Sequence, residues 1–99
     1  MRLASILRMD IRLVFGQNMR RYRLAAGLSQ EAVAERMGVD RAHVSSMERG
    51  QQNVTLLTVR EAAQALGRKS MEFLDEDAAA AAAASGSAAK APRRKRTKS

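Results

Sequence analysis

Between residues 29 and 50, two short stretches with apolar residues at three- and four-residue spacing are separated by a single tripeptide, Gly38-Val39-Asp40. Val33, Ala34 and Met37 mark the inner face of the first stretch, and Val44 and Met47 that of the second. So short a connection leaves no room for a loop, so the two helices it joins must cross steeply. Gly38 supplies the left-handed backbone conformation that ends a helix and turns the chain at once. Val39 plugs the angle from beneath, and Ala34 is small where the two helices come closest.

The rest of the chain has the same helical grain. A helix over about 11–26 carries Phe15, Met19 and Tyr22 on one face and stops at Gly27. Ser29 is placed to cap a helix over about 30–37, Asp40 one over about 41–49 that ends at Gly50, and Thr55 one over about 56–66 that ends at Gly67. In the last of these Leu56, Val59, Ala62, Ala63 and Leu66 point inward, and a short fifth piece at about 70–75 offers Met71, Phe73 and Leu74. Strictly alternating apolar runs are missing, so the fold class is all-α: a compact helical bundle built around a helix-turn-helix.

Three segments follow from the composition: an extension over 1–9, a folded domain over 10–77, and an Ala-rich linker with a basic tail over 78–99. Met9 is a second candidate for the start. "DEDAAAAAAASGSAAKAPRRKRTKS" contains no large apolar side chain and has little to bury against its chain entropy. The run of seven alanines has the best helix propensity available, and Asp75, Glu76 and Asp77 favour a helix start. A lone helix that short is marginal, so the expectation is a fraying turn or two followed by a disordered tail.

Several function classes lose their footing at this stage. With no cysteine and the single histidine His43, neither a disulfide scaffold nor a zinc cluster can be assembled, and no metal or cofactor is expected. No stretch approaches the ~20 apolar residues of a membrane span. The start lacks the apolar core and small-residue cleavage site of a secretory leader, so the expected location is the cytoplasm. Net charge is +8, and six of the basic residues, Lys90, Arg93, Arg94, Lys95, Arg96 and Lys98, fall in the last ten positions without an acid among them. The remainder is nearly balanced, so the tail reads as an electrostatic hook for a polyanion.

On the helix over 41–49, Val44 and Met47 point inward while Ala42, Ser45, Ser46 and Arg49 form the opposite face, with Arg41 at its N-terminal edge. That outer face is small in the middle and cationic at both ends. Short side chains let a helix backbone approach base edges in a DNA major groove, and arginine reaches a guanine edge bidentately or a phosphate at the rim.

The segments "LSQEAVAERMGVDRAHVSSMERG" and "NVTLLTVREAAQALG" resemble the Cro/phage-repressor-type helix-turn-helix family over about residues 13–74. "DRAHVSSMERGQQN-T" is especially similar to the small controller proteins of restriction-modification systems, whose pattern runs Asp-Arg-x-aromatic-x-Ser-x-x-Glu-Arg-Gly. His43 stands where that pattern has an aromatic, and Arg68 where the family has a β-branched apolar residue. The resemblance implies a lambda-repressor-like five-helix bundle that binds double-stranded DNA as a homodimer on an inverted repeat. By position it places Arg41, Ala42, Ser45 and Ser46 over bases, and Gln30, His43, Arg49, Asn53 and Thr55 at phosphates. It also implies a partly buried ion pair between Arg23 and Glu48.

The expected dimer surface combines Leu57, outward on the fourth helix, with Phe73 and Leu74. The expected function is sequence-specific transcriptional regulation. Without a second domain no small-molecule ligand is expected. Catalysis finds no Ser/His/acid set or cysteine nucleophile, and RNA binding finds its candidate aromatics Phe15, Tyr22 and Phe73 at core spacing. The alternative that survives is a protein-binding adaptor of the same fold, of antitoxin or coactivator type.

Overall fold

The computed structural model describes residues 9–84, and among them five α-helices and one 3₁₀ helix, with no strand. In chain order they are α1 (Ile11–Ala25), α2 (Gln30–Met37), α3 (Arg41–Glu48), α4 (Leu56–Leu66), the 3₁₀ helix (Ser70–Leu74) and α5 (Glu76–Ala84). The terminal basic cluster Lys90 to Lys98 and residues 1–8 lie outside the described residues.

Most of the helices begin where a side chain caps them. Asp10 accepts the Arg12 N–H at 2.8 Å and pairs with the Arg12 guanidinium at 2.7 Å. The guanidinium first, and then the backbone N–H, hold the exposed Asp10 carboxyl down at about 2. Ser29 Oγ accepts from Ala32 N at 3.0 Å to start α2, and Thr55 Oγ1 from Thr58 N at 3.0 Å to start α4. Asp40 holds the N-cap position of α3 in an extended conformation, but its side chain makes no capping bond. Gly38 sits in the left-handed region at φ 74°, which lets Val39 N bond back to Ala34 O at 2.9 Å.

The core joins Phe15, Met19 and Tyr22 of α1 to Val33 and Ala34 of α2, Val44 and Met47 of α3, and Val59, Ala62, Ala63 and Leu66 of α4. Met37 and Val39 are half-buried against it. Leu56, expected inside, is 83 % exposed: it belongs to the first turn of α4, at the edge of the apolar stripe and beyond the cover of the other helices. Phe73, expected both at core spacing and on the dimer surface, follows the first expectation and not the second. It is fully buried in the chain's own core, its ring centroid 5.8 Å from Phe15 and 5.2 Å edge-on from Tyr22, and so is withdrawn from any partner surface. Tyr22 also meets cations, with the Arg68 guanidinium 4.3 Å and that of Arg21 4.4 Å from its ring centre. Arg68 is thus held against the bundle by the Tyr22 ring.

The alanine run is not a frayed end. It continues as α5 to Ala84, packed along α1 with Ala79 fully buried. Asp75 starts it by accepting from Ala78 N at 3.0 Å. Asn18, buried in α1, donates from Nδ2 to Phe73 O at 3.0 Å and Asp75 O at 3.1 Å, pinning the entry to α5. A helix of small side chains buries little area per residue, but it comes close to its neighbour, and tertiary contact supplies what a lone short helix lacks.

Candidate nucleic-acid interface

α3 turns Val44 and Met47 wholly into the core and leaves Arg41, Ala42 and His43 exposed, with Ser45 and Ser46 half-buried and Arg49 exposed just past its C-terminal end. The outer face therefore has the small centre and cationic ends that the helical wheel gives. Ala42 sits one residue inside the N-terminal turn, so the backbone there has no long side chain holding it away from a facing surface.

Two features fix how α3 lies on the bundle. Gly16 of α1 runs directly under its C-terminal end: a Cβ at Gly16 would stand 2.6 Å from the carbonyl oxygens of both Met47 and Glu48. Only a glycine permits that approach. Beside it, Arg23 Nε donates to Glu48 Oε2 at 2.6 Å and Arg23 Nη2 to Glu48 Oε1 at 3.0 Å. Arg23 is 8 % and Glu48 7 % exposed, and Arg23 Nη1 also donates to Leu28 O at 2.9 Å. The bidentate pair ties α1, the α1–α2 turn and the end of α3 into one unit.

Gln30, the first residue of α2, donates from Nε2 to Glu48 Oε1 at 3.1 Å and accepts at Oε1 from Arg41 Nη1 at 3.2 Å. At the other end of the helix, the Arg49 guanidinium bonds to Ser45 Oγ and, at 3.3 and 3.2 Å, to Gln51 Oε1. Gln52 Nε2 donates to Ser46 Oγ at 2.8 Å. Asn53 and Thr55 are exposed in the segment between α3 and α4, and the Thr55 hydroxyl is engaged by Thr58. Leu57 is 62 % exposed and Leu74 36 %, so these two members of the expected dimer surface are accessible, unlike Phe73.

Gly16, Asn18, Gln51 and Gln52 were not singled out from the sequence. The pair of glutamines directly after the helix-ending Gly50 was the signal for the last two. Gly16 and Asn18, a glycine and an asparagine on an otherwise apolar inner face of α1, were the signal for the first two. Among the described residues no group of three His, Cys, Asp or Glu side chains is gathered to hold a metal ion, and no helix is long and apolar enough to cross a membrane.

The family model described as Helix-turn-helix matches residues 19–74. The chain is 44 % identical over 66 residues, 67 % of its own length and 86 % of the relative's, to an uncharacterized HTH-type transcriptional regulator, y4dJ, of Sinorhizobium fredii. It is 39 % identical over 67 residues to the control protein C.BamHI of Bacillus amyloliquefaciens, covering 67 % of this chain and 83 % of that one. Its fold is similar to the crystal structure of the restriction-modification controller protein C.AhdI from Aeromonas hydrophila, with a TM-score of 0.60 and 44 % identity over 63 % of this chain and 90 % of that one. From the matched segment, which holds α2, the Gly38 turn and α3 entire, the chain belongs to the helix-turn-helix family.

Proposed function

We propose that this chain is a transcriptional regulator that binds double-stranded DNA in a sequence-specific way, as a homodimer on an inverted repeat, with α3 in the major groove. The observation that carries the reading is the outer face of α3: two exposed arginines flank small residues on a helix held rigidly by Gly16 and a buried ion pair. The similar proteins named above are regulators and controllers, not enzymes, which favours a non-enzymatic role. Arg41, Ala42, Ser45 and Ser46 face bases in this reading. His43, Arg49, Asn53, Thr55 and the second Nε2 hydrogen of Gln30 meet phosphates, and the basic residues Lys90 to Lys98 add sequence-independent contacts. The setting is the cytoplasm, without cofactor or small-molecule ligand.

Selection of bound sequences from a randomised duplex pool tests the proposal. The wild-type chain should enrich a two-fold symmetric motif with half-sites about 10–10.5 base pairs apart. Arg41→Ala should lose preference at one position in each half-site, since a bidentate arginine–guanine contact contributes about 1–3 kcal/mol of discrimination. Arg49→Ala should weaken binding to all sequences alike. No enrichment by the wild-type chain would sink the DNA reading and favour the adaptor alternative.

A further inference from the structure

We propose that α5 is a guide for the chain's end: docked along α1, it delivers residues 85–99 beside the C-terminal end of α3, so that the basic cluster Lys90 to Lys98 meets the phosphates next to those of Arg49 and Asn53. The inference rests on the reading of α3 as the helix that enters the groove and of the cluster as a phosphate contact.

The direction of α5 follows from the part of α1 that it covers. Val14, Asn18 and Ala25 recur on one face of α1 at helical spacing. α5 starts at the middle of that face, where Asn18 Nδ2 donates to Asp75 O at 3.1 Å, and α1 is the element it packs against. From there the helix has two ways to run, toward Val14 or toward Ala25. Val14 is wholly buried although it lies outside the central core cluster, and Ala25 is exposed. α5 therefore runs toward the start of α1, antiparallel to it. The spacing agrees: the fully buried Ala79 lies four residues past Asp75, and Val14 four residues before Asn18, about 6 Å along each helix. By the same count Ala84, nine residues past Asp75, is level with the start of α1.

That end of α1 touches the end of α3. Leu13 lies directly against Gly50, where an added Cβ would stand 3.1 Å from Leu13 Cα. Gly50 follows Arg49 and opens the segment that holds Asn53. The width of α1, about 10–12 Å with its side chains, thus separates the end of α5 from the proposed groove rim. Charge is graded in the same sense: Asp75, Glu76 and Asp77 stand at the far end of α5, and the six cations follow its near end. Lys90 is six residues beyond Ala84 and Lys98 fourteen, so even a fully extended chain carries them no more than about 22 and 50 Å. A tether that short concentrates the charge on one stretch of phosphate backbone.

The chain has no cysteine, so Ala84→Cys gives a single labelling site. Without DNA, a spin label there should broaden the amide signals of residues 10–13 and 50–52 and spare those of 25–28. The reverse pattern rejects the direction of α5 and the proposal, whatever the protein binds. On the selected operator, an iron chelate at the same site should cleave at one place in each half-site, next to the phosphates whose protection is lost in Arg49→Ala. Ala79→Glu, which releases α5, lengthens the free chain leading to Lys90 from six residues (85–90) to fifteen (76–90). Local concentration falls as roughly the −3/2 power of tether length, so the operator affinity of the full chain should drop about 4-fold. In a chain ending at Ala84 the same substitution should leave affinity unchanged, as a double-mutant cycle requires if it acts through the tail. Thermal melting checks that each variant is folded. An equal loss in both chains assigns the effect to α1 and overturns the proposal, as does no loss in the full chain. A wild-type chain that selects no motif overturns the DNA reading and this one with it; a selected motif with cleavage scattered along the duplex overturns this one alone.

Discussion

A single missing methyl group sets the distance between α1 and α3. With a Cβ, residue 16 would stand 2.6 Å from two backbone carbonyl oxygens, and backbone cannot swing aside as a flexible side chain does. Gly16→Ala gains up to about 1 kcal/mol of intrinsic helix propensity. Overpacking typically costs about 1–3 kcal/mol and here is imposed on backbone, so the net effect should be destabilising. Chemical denaturation should give a lower midpoint with an unchanged slope, and a midpoint at or above wild type would mean that the two helices can part without penalty. The same displacement would reach function, because Glu48, whose carbonyl is one of the two struck, also carries the carboxylate that holds Arg23 and Gln30.

Among the elements, α5 shows how a weak sequence becomes a firm helix. Its alanines offer propensity without area, and what fixes them is the fit of Ala79 against α1 and the two carbonyls held by Asn18. Ala79→Glu would place a carboxylate in that contact without a partner, and α5 should undock instead of burying it. The loss of stability is then bounded by what docking contributes, roughly 1–3 kcal/mol, and should equal that of a chain ending after Asp75. Amide hydrogen exchange over residues 77–84 should accelerate in Ala79→Glu while that of α3 stays protected. Retained protection over 77–84 would show that Ala79 does not hold the helix down.

The described residues as a unit leave large apolar side chains exposed. Leu56, Leu57 and Met71 are 83 %, 62 % and 75 % exposed, an apolar display that a monomer of this size has little reason to keep. Leu57→Glu should give a folded monomer in sedimentation and weak operator binding; an unchanged dimer would move the interface away from Leu57. The proposed role of the basic residues Lys90 to Lys98, which lie outside the described residues, has a test of its own. Deleting residues 85–99 should leave the melting temperature and the selected motif as they are. It should also make the slope of log affinity against log salt shallower by about 2–4, at about 0.9 for each phosphate that the shortened chain no longer neutralises. Equal slopes for the two chains would remove the tail from the DNA complex.

The features legible in the amino-acid order are periodic and local. Val33, Ala34, Val44 and Met47 at helical spacing, the caps Ser29 and Thr55, and the left-handed stop at Gly38 specify two helices and the turn between them, since each depends on residues within a few positions of one another. The small, cationic face of α3 was legible for the same reason, and so was the family pattern that pairs Arg23 with Glu48. Features that hang on partners distant in the chain had to wait for the folded arrangement. Phe73 could be read as core or as a surface anchor until α1 is seen to surround it with Phe15 and Tyr22, and Leu56 continues an apolar stripe whose first turn the bundle does not reach. The seven alanines have no pattern to read, and their helix exists because α1 offers a surface on which small side chains fit. Gln30 is the clearest case: whether its amide faces solvent, a phosphate or Arg41 is set by a carboxylate that lies 18 positions away in sequence and is brought to it by the fold.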